Sequence, residues 1–209
     1  MERVLVIGAH YDDAELGVAG TSAKLVSLGK EVFKLTLTDN VTKSEHLNLD
    51  IPYHSSKKES AIACDILGVT EVNFQPIPCC ELVYTKEIMQ NIESFIFSNK
   101  IDTCFIHYED DYNQDHVQAN IISKTASRHC KRVLAYQSNG YCLAKPFYPS
   151  FFIDISSFAS KKIQALKCYE HQHNRFDRLF EMTMKKNEVW GYSNKVDFAE
   201  GFVPIKFIY

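Results

Sequence analysis

Val4-Leu5-Val6-Ile7-Gly8-Ala9 is an unbroken apolar run, and a helical stretch, Ala14–Leu28, follows it after only four residues. Gly29 stands where helices often end in a left-handed residue, and Val32–Thr38 then reads as a second strand. A short apolar run bounded by turn residues reads as a buried strand. Strand, helix and strand in close succession form a parallel pair with a crossover helix, and few folds begin this way.

The rest of the chain repeats the alternation. Helices are expected at Ser55–Leu67, which also ends at a glycine, at Thr85–Ser98, at about Asp115–His129 and at about Ser157–His171. Strands are expected at Val72–Phe74, Ile101–Ile106, Val133–Tyr136 and Phe151–Ile155, while the aromatic last forty residues show no clear period. Asp39–His54 reads as a long polar loop, a class often tied to function. The class is therefore α/β, a Rossmann-like, mostly parallel sheet with helices on both faces. With 209 residues and no linker, one domain spanning 1–209 is expected.

The formal charge of −3 and the absence of any basic run argue against a nucleic-acid partner. No apolar stretch approaches 18 residues, so membrane insertion is not expected. Seven cysteines, an odd number with no C-x-x-C pair, and no export signal point to reduced thiols in a cytoplasmic protein. Most of these thiols are expected to be small core residues. A homo-oligomer is compatible with the sequence and is not specified by it.

In open α/β sheets, ligands bind beyond the carboxyl ends of the strands. Two such loops carry the reactive residues. After the first strand come His10, Asp12 and Asp13; His10 and Asp13 are three apart and converge if the helix begins there. Imidazole and carboxylate are both good Zn²⁺ ligands, and Asp12 lies between them. The plainer alternative is that an aspartate caps the helix and His10 is a passive loop residue. A dinucleotide site is disfavoured, because His10 replaces the second glycine of G-x-G-x-x-G. The second loop, His107–His116, is acidic with a histidine at each end, and could complete a metal site with one open position.

Together these motifs resemble the PIG-L, or LmbE-like, zinc-dependent de-N-acetylases. The resemblance rests on Ala9-His10-Tyr11-Asp12-Asp13-Ala14-Glu15 running into Gly17-Val18-Ala19-Gly20, and on Asn113-Gln114-Asp115-His116. Glu59 with Leu67-Gly68, the series Lys162, Ala165, Leu166, Tyr169 and Gln172, and Ala199-Glu200-Gly201-Phe202 follow in the family's order. The resemblance implies Zn²⁺ held by His10, Asp13 and His116, with Asp12 as general base and Asp115 orienting a neighbour. It implies removal of an acetyl group from an N-acetylated amino sugar, a small-molecule substrate.

Three positions depart from the pattern. Tyr11 replaces a proline. Asn113 stands where many members have a histidine that assists the oxyanion, a role open to Asn113 itself, His107 or His173. Ser56 replaces an arginine. His46, His54, Tyr53, Tyr141 and Trp190 are candidates for a sugar pocket, each more simply read as a surface or packing residue. A hydrolase of another bond, or a non-catalytic sugar- or metal-binding domain, is the alternative.

Overall fold

The computed structural model describes residues 1–47, 49–139, 145–169 and 176–209. Its frame is one seven-stranded sheet, built on β1 (Arg3–Gly8), β2 (Glu31–Thr36), β5 (Thr70–Glu71), β6 (Thr103–His107), β7 (Arg132–Tyr136), β8 (Phe151–Asp154) and β9 (Ala199–Phe207). The order is β5-β2-β1-β6-β7-β9-β8. β5, β2, β1, β6 and β7 are parallel, whereas β9 runs antiparallel to both β7 and β8. The α/β class, the mostly parallel sheet and helices on both faces are thus as the sequence indicates.

Alternation along β1 sorts the two faces. Leu5 and Ile7 pack with Met89, Ile92 and Ile96 of α3 (Lys86–Ser98), and with Ala119 and Ile122 of α4 (Gln114–Ala126). Val4 and Val6 point the other way, towards Ala14 and Val18 of α1 (Asp13–Ser27). Outside α1 lie α2 (Tyr53–Leu67) and α5 (Ala159–Leu166), whose Ala63, Leu67, Ala165 and Leu166 bury its Leu16, Ala19 and Ala23. Sandwiched in this way, α1 is buried at every residue from Asp13 to Ala23.

The two glycines of the G-x-x-G stretch make that burial sterically feasible. A methyl group on Gly17 would come within 2.1 Å of the Tyr136 ring, and one on Gly20 within 2.7 Å of Ile155. Two buried ion pairs also grip α1. Lys34 donates to Glu15 at 2.8 Å, and Lys162 donates both to Glu200 and to the Leu16 carbonyl. The Glu200 carboxylate in turn accepts from the N–H groups of Gly20 and Thr21.

Several elements differ from the sequence reading. The loop after β2 contains a small hairpin, β3 (Thr42–Ser44) with β4 (Leu49–Ile51). The ladder strand near residue 72 lies at Thr70–Glu71, and α5 ends at Leu166. The C-terminal part holds α6 (Glu181–Ser193) and the nine-residue β9. Pro204 in β9 argues against a strand interior. It is accommodated where β9 pairs only with β7, beside a register shift at Val133/Leu134. Among the described residues, no helix is long and apolar enough to cross a membrane.

Candidate active site

The sheet order reverses direction at β1. β2 follows on one side and β6, reached by a long crossover, lies on the other. At such a switch point two strand-end loops diverge and leave a crevice. The loops are those after Gly8 and after His107, and they bring the two sequence motifs together.

His10, Asp13 and His116 converge there, all buried. His10 Nδ1 lies 3.1 Å from His116 Nε2 and 3.5 Å from Asp13 Oδ2, and His116 Nε2 lies 3.3 Å from Asp13 Oδ1. Ligands about 2.0–2.1 Å from a tetrahedral ion stand about 3.3 Å apart, so the donor spacing fits such an ion. Asp13 does not cap α1 in the usual sense. Its Oδ2 accepts the His10 N–H at 2.7 Å, which closes the turn between the two residues.

The outer nitrogen of each imidazole meets its own carboxylate. His10 Nε2 lies 3.2 Å from Asp115 Oδ2, and His116 Nδ1 lies 3.0 Å from Asp111 Oδ2. Such partners accept a hydrogen bond from the outer N–H and leave the inner lone pair bare. Two bare lone pairs 3.1 Å apart repel, so a cation belongs between them, either a proton or a metal ion.

The titration behaviour says the same. Burial would lower the His116 pKa, yet Asp13 and Asp111 outweigh it and raise it to about 9. Burial likewise opposes charge on His10, but Asp115 and Asp13 raise its pKa well above the usual value. Burial also opposes ionisation of Asp13, and His116 and His107 reverse that and hold its pKa far below the ordinary range. The site attracts positive charge.

A cleft of about 160 Å³ opens over this cluster. Asp12, only 2% exposed, lines it beside His10 and Asp13. Asn113 lines it too, and its side chain caps α4: Oδ1 accepts the Asp115 N–H at 2.9 Å. With the oxygen so engaged, the amide NH₂ is the group left to donate elsewhere. The β3–β4 hairpin adds Thr42 and Ile51 to the lining, as do Leu179 and Asn139.

Other sequence candidates fall elsewhere. His107 is fully buried behind the site. Its ring stacks on His116 at 4.2 Å, and Nε2 lies 3.1 Å from Asp13 Oδ2 and 3.0 Å from the Ala9 N–H. Burial lowers its pKa, and it backs Asp13 and His116 instead of lining the cleft. Tyr53 packs against Tyr11, and Trp190 packs against Phe147 and Phe152 under Lys186. His46 and His54 are exposed. Ser56 is buried and accepts from Asn40, a cleft residue. Tyr141, Cys142, Gln172 and His173 lie outside the described residues.

Sequence reasoning gave Asp111 no role. Its spacing does not separate it from Glu109 and Asp110, which pair with Lys124 and Lys145. Only the fold turns it inward, where Asn139 also donates to both its oxygens. The cysteine expectation holds for buried Cys64, Cys104 and Cys130, but Cys79 and Cys80 line the cleft.

Residues 5–127 match the model of the PIG-L family, described as GlcNAc-PI de-N-acetylase. A diacetylchitobiose deacetylase of Thermococcus kodakarensis is 26% identical over 189 residues, covering 82% of this chain and 70% of that protein. Among solved structures, a conserved protein of Thermus thermophilus is 25% identical, with a TM-score of 0.82 over 100% of this chain and 97% of its own. The 4-carboxy-2-hydroxymuconate hydratase of Pseudomonas putida has a TM-score of 0.83 at 17% identity, over 100% of this chain and 98% of that one. The fold alone therefore does not choose the reaction, and the chemistry must be argued from the side chains.

Proposed function

We propose that this chain, which belongs to the PIG-L family of de-N-acetylases, is a zinc-dependent hydrolase of an N-acetylated amino-sugar derivative. A sugar nucleotide, a glycolipid precursor or a conjugate of N-acetylglucosamine all fit this class. The enzyme would act in the cytoplasm as one domain spanning 1–209. The observation that carries the reading is the pair of buried imidazoles facing Asp13. Each has its outer nitrogen on a carboxylate, and both stand at the floor of a cleft beside a further carboxylate, Asp12.

His10, Asp13 and His116 would hold the ion, and Asp115 and Asp111 would fix the two imidazoles. When bound, Zn²⁺ supplies Lewis acidity, polarising an acyl oxygen and lowering the pKa of water from about 15.7 towards about 7. Asp12 acts as general base. It takes a proton from the water as oxygen attacks the acetyl carbon, then returns it to the departing nitrogen. The C–N bond breaks to give acetate and the free amine. The Asn113 amide donates to the oxygen on which negative charge develops, from a position the helix cap fixes in advance. Asn40, Thr42 and Asn139 offer hydrogen bonds to sugar hydroxyls.

The test is metal content by elemental analysis of wild-type, His10→Ala and His116→Ala protein, followed by assays for amine released from N-acetyl sugars. About one zinc per chain, lost in both variants along with amine release, is expected. Metal unaffected by either substitution, or a fully active chelated enzyme, would refute the reading.

A further inference from the structure

The loop before α3 brings two adjacent thiols to the edge of the cleft. Cys79 and Cys80 are pinned from three sides. Asp39 Oδ1 accepts the Cys79 N–H at 2.9 Å, Asp115 Oδ2 accepts the Cys80 N–H at 2.8 Å, and Gln114 donates to the Cys80 carbonyl at 2.6 Å. Cys80 adopts a left-handed backbone, with φ at +69°. For a residue with a side chain that conformation is uncommon, and the two sulfurs lie 3.8 Å apart.

His10, Cys79 and Asp115 present ligand atoms that all lie within 4.8 Å of one another. The separations are those of a tetrahedron. A thiolate at about 2.3 Å and a carboxylate oxygen at about 2.0–2.1 Å from an ion stand about 3.6 Å apart, and a nitrogen and an oxygen at about 2.0–2.1 Å stand about 3.3 Å apart. Cys79 Sγ lies 3.8 Å from Asp115 Oδ2, and His10 Nε2 lies 3.2 Å from the same oxygen. The hydrolytic reading assigns no role to either sulfur.

We infer that His10 Nε2, Asp115 and Cys79 form a second metal site, selective for a thiophilic ion such as Cd²⁺ or excess Zn²⁺, whose filling switches the enzyme off. A neutral imidazole has a single lone pair. Ligation through Nε2 moves the ring proton to Nδ1, so His10 leaves the cluster with Asp13 and His116. Binding also releases the thiol proton of Cys79 to solvent, since thiolate is the ligand form. The two sites compete for one histidine. The Cys79 sulfur favours soft ions over the harder ions suited to a carboxylate and imidazoles alone. Switching off rests on the proposed hydrolytic function, whereas ligation does not.

The experiment is a Co²⁺ titration of the full chain, purified under reducing conditions and already carrying one equivalent of zinc. Wild type is expected to develop a thiolate-to-cobalt charge-transfer band that Cys79→Ser lacks. In the wild type, Cd²⁺ is expected to protect Cys79 from alkylation by iodoacetamide, read by mass spectrometry. Half-inhibition by Cd²⁺, scaled to each protein's own uninhibited rate, should need about tenfold more ion in Cys79→Ser, the loss of about 1.4 kcal/mol of binding. Absence of the band and of protection in wild type, or a band that persists in Cys79→Ser, overturns the site. Because the band and the alkylation need no substrate, an enzyme that fails to release amine would leave this result standing. An unchanged Cd²⁺ requirement with the band lost would overturn the inhibitory role.

Discussion

Replacing Lys34 by methionine tests how the fold holds the candidate site. Lys34 and Glu15 are each 1% exposed, and the ammonium also donates to the Tyr11 carbonyl at 2.6 Å, in the turn between His10 and Asp12. Burial works against the Lys34 charge, but Glu15 outweighs it and raises its pKa; burial also raises the pKa of Glu15, which Lys34 only partly offsets. Without Lys34, the folded protein can keep Glu15 only as the neutral acid. Protonating a carboxyl of ordinary pKa 4.5 costs at most about 3.4 kcal/mol at pH 7 and about 0.7 at pH 5, at about 1.36 kcal/mol per pH unit.

The lost hydrogen bond to Tyr11 adds about 1 kcal/mol at either pH. The sign follows from the folded pKa of Glu15 lying above its unfolded value, so stability is kept at low pH and lost as pH rises past 4.5. For a chain of this size, about 2–4 °C per kcal/mol predicts a Tm drop of up to about 9–18 °C at pH 7. At pH 5 the drop shrinks to about 3–7 °C. Urea unfolding of wild type and Lys34→Met across this range reads the difference directly. Adding Glu15→Gln to Lys34→Met should remove its pH dependence. A deficit that is flat between pH 5 and pH 7, or a slope that survives Glu15→Gln, would refute the reasoning.

Asp12→Asn is expected to lower kcat by about 10²-fold or more while leaving zinc content unchanged, measured by amine release and elemental analysis. Asn113→Asp keeps the oxygen that caps α4 but removes the NH₂ donor, so kcat should fall about 10²–10³-fold with little change in Tm. Asn113→Ala loses the cap as well and should also lower stability by about 1 kcal/mol. Glu200→Ala strands the buried Lys162 charge and should cost about 3–5 kcal/mol in urea unfolding, whereas Lys162→Met with Glu200→Leu should retain wild-type stability or exceed it.

Much of this was readable from the sequence because the first motifs are local. The β1–turn–α1 unit is written in consecutive residues, so His10 and Asp13 are placed by the helix start alone. His116 could be joined to them only through the rule that strand ends share a crevice, or through the family resemblance. Asp111 is different in kind. What separates it from Asp110 is a turn in the loop that points one carboxylate to His116 and the other to Lys145. β9 was hidden for a similar reason. Its Pro204 and its mixed polarity reflect a strand paired on each side over only part of its length, a tertiary fact with no local period.

The two buried ion pairs explain why so much charge surrounds a helix sheathed in apolar residues. A buried pair seldom stabilises more than well-packed hydrophobic residues of the same volume. What the pairs supply is position. Apolar contacts from Leu16, Ala19 and Ala23 tolerate a small slide or rotation of α1, because methyl groups pack in many registers. Glu15 fixed by Lys34, and the Leu16 carbonyl with the Gly20 and Thr21 N–H groups fixed by Lys162 and Glu200, do not. Donor separations near about 3.3 Å leave a metal cluster little freedom, and a misplacement of about 1 Å at a catalytic centre can cost about 10²-fold. The charge buried around α1 therefore serves the turn at its N-terminus. The pair of substitutions at Lys162 and Glu200 separates the two contributions, since stability should survive them and metal affinity should not.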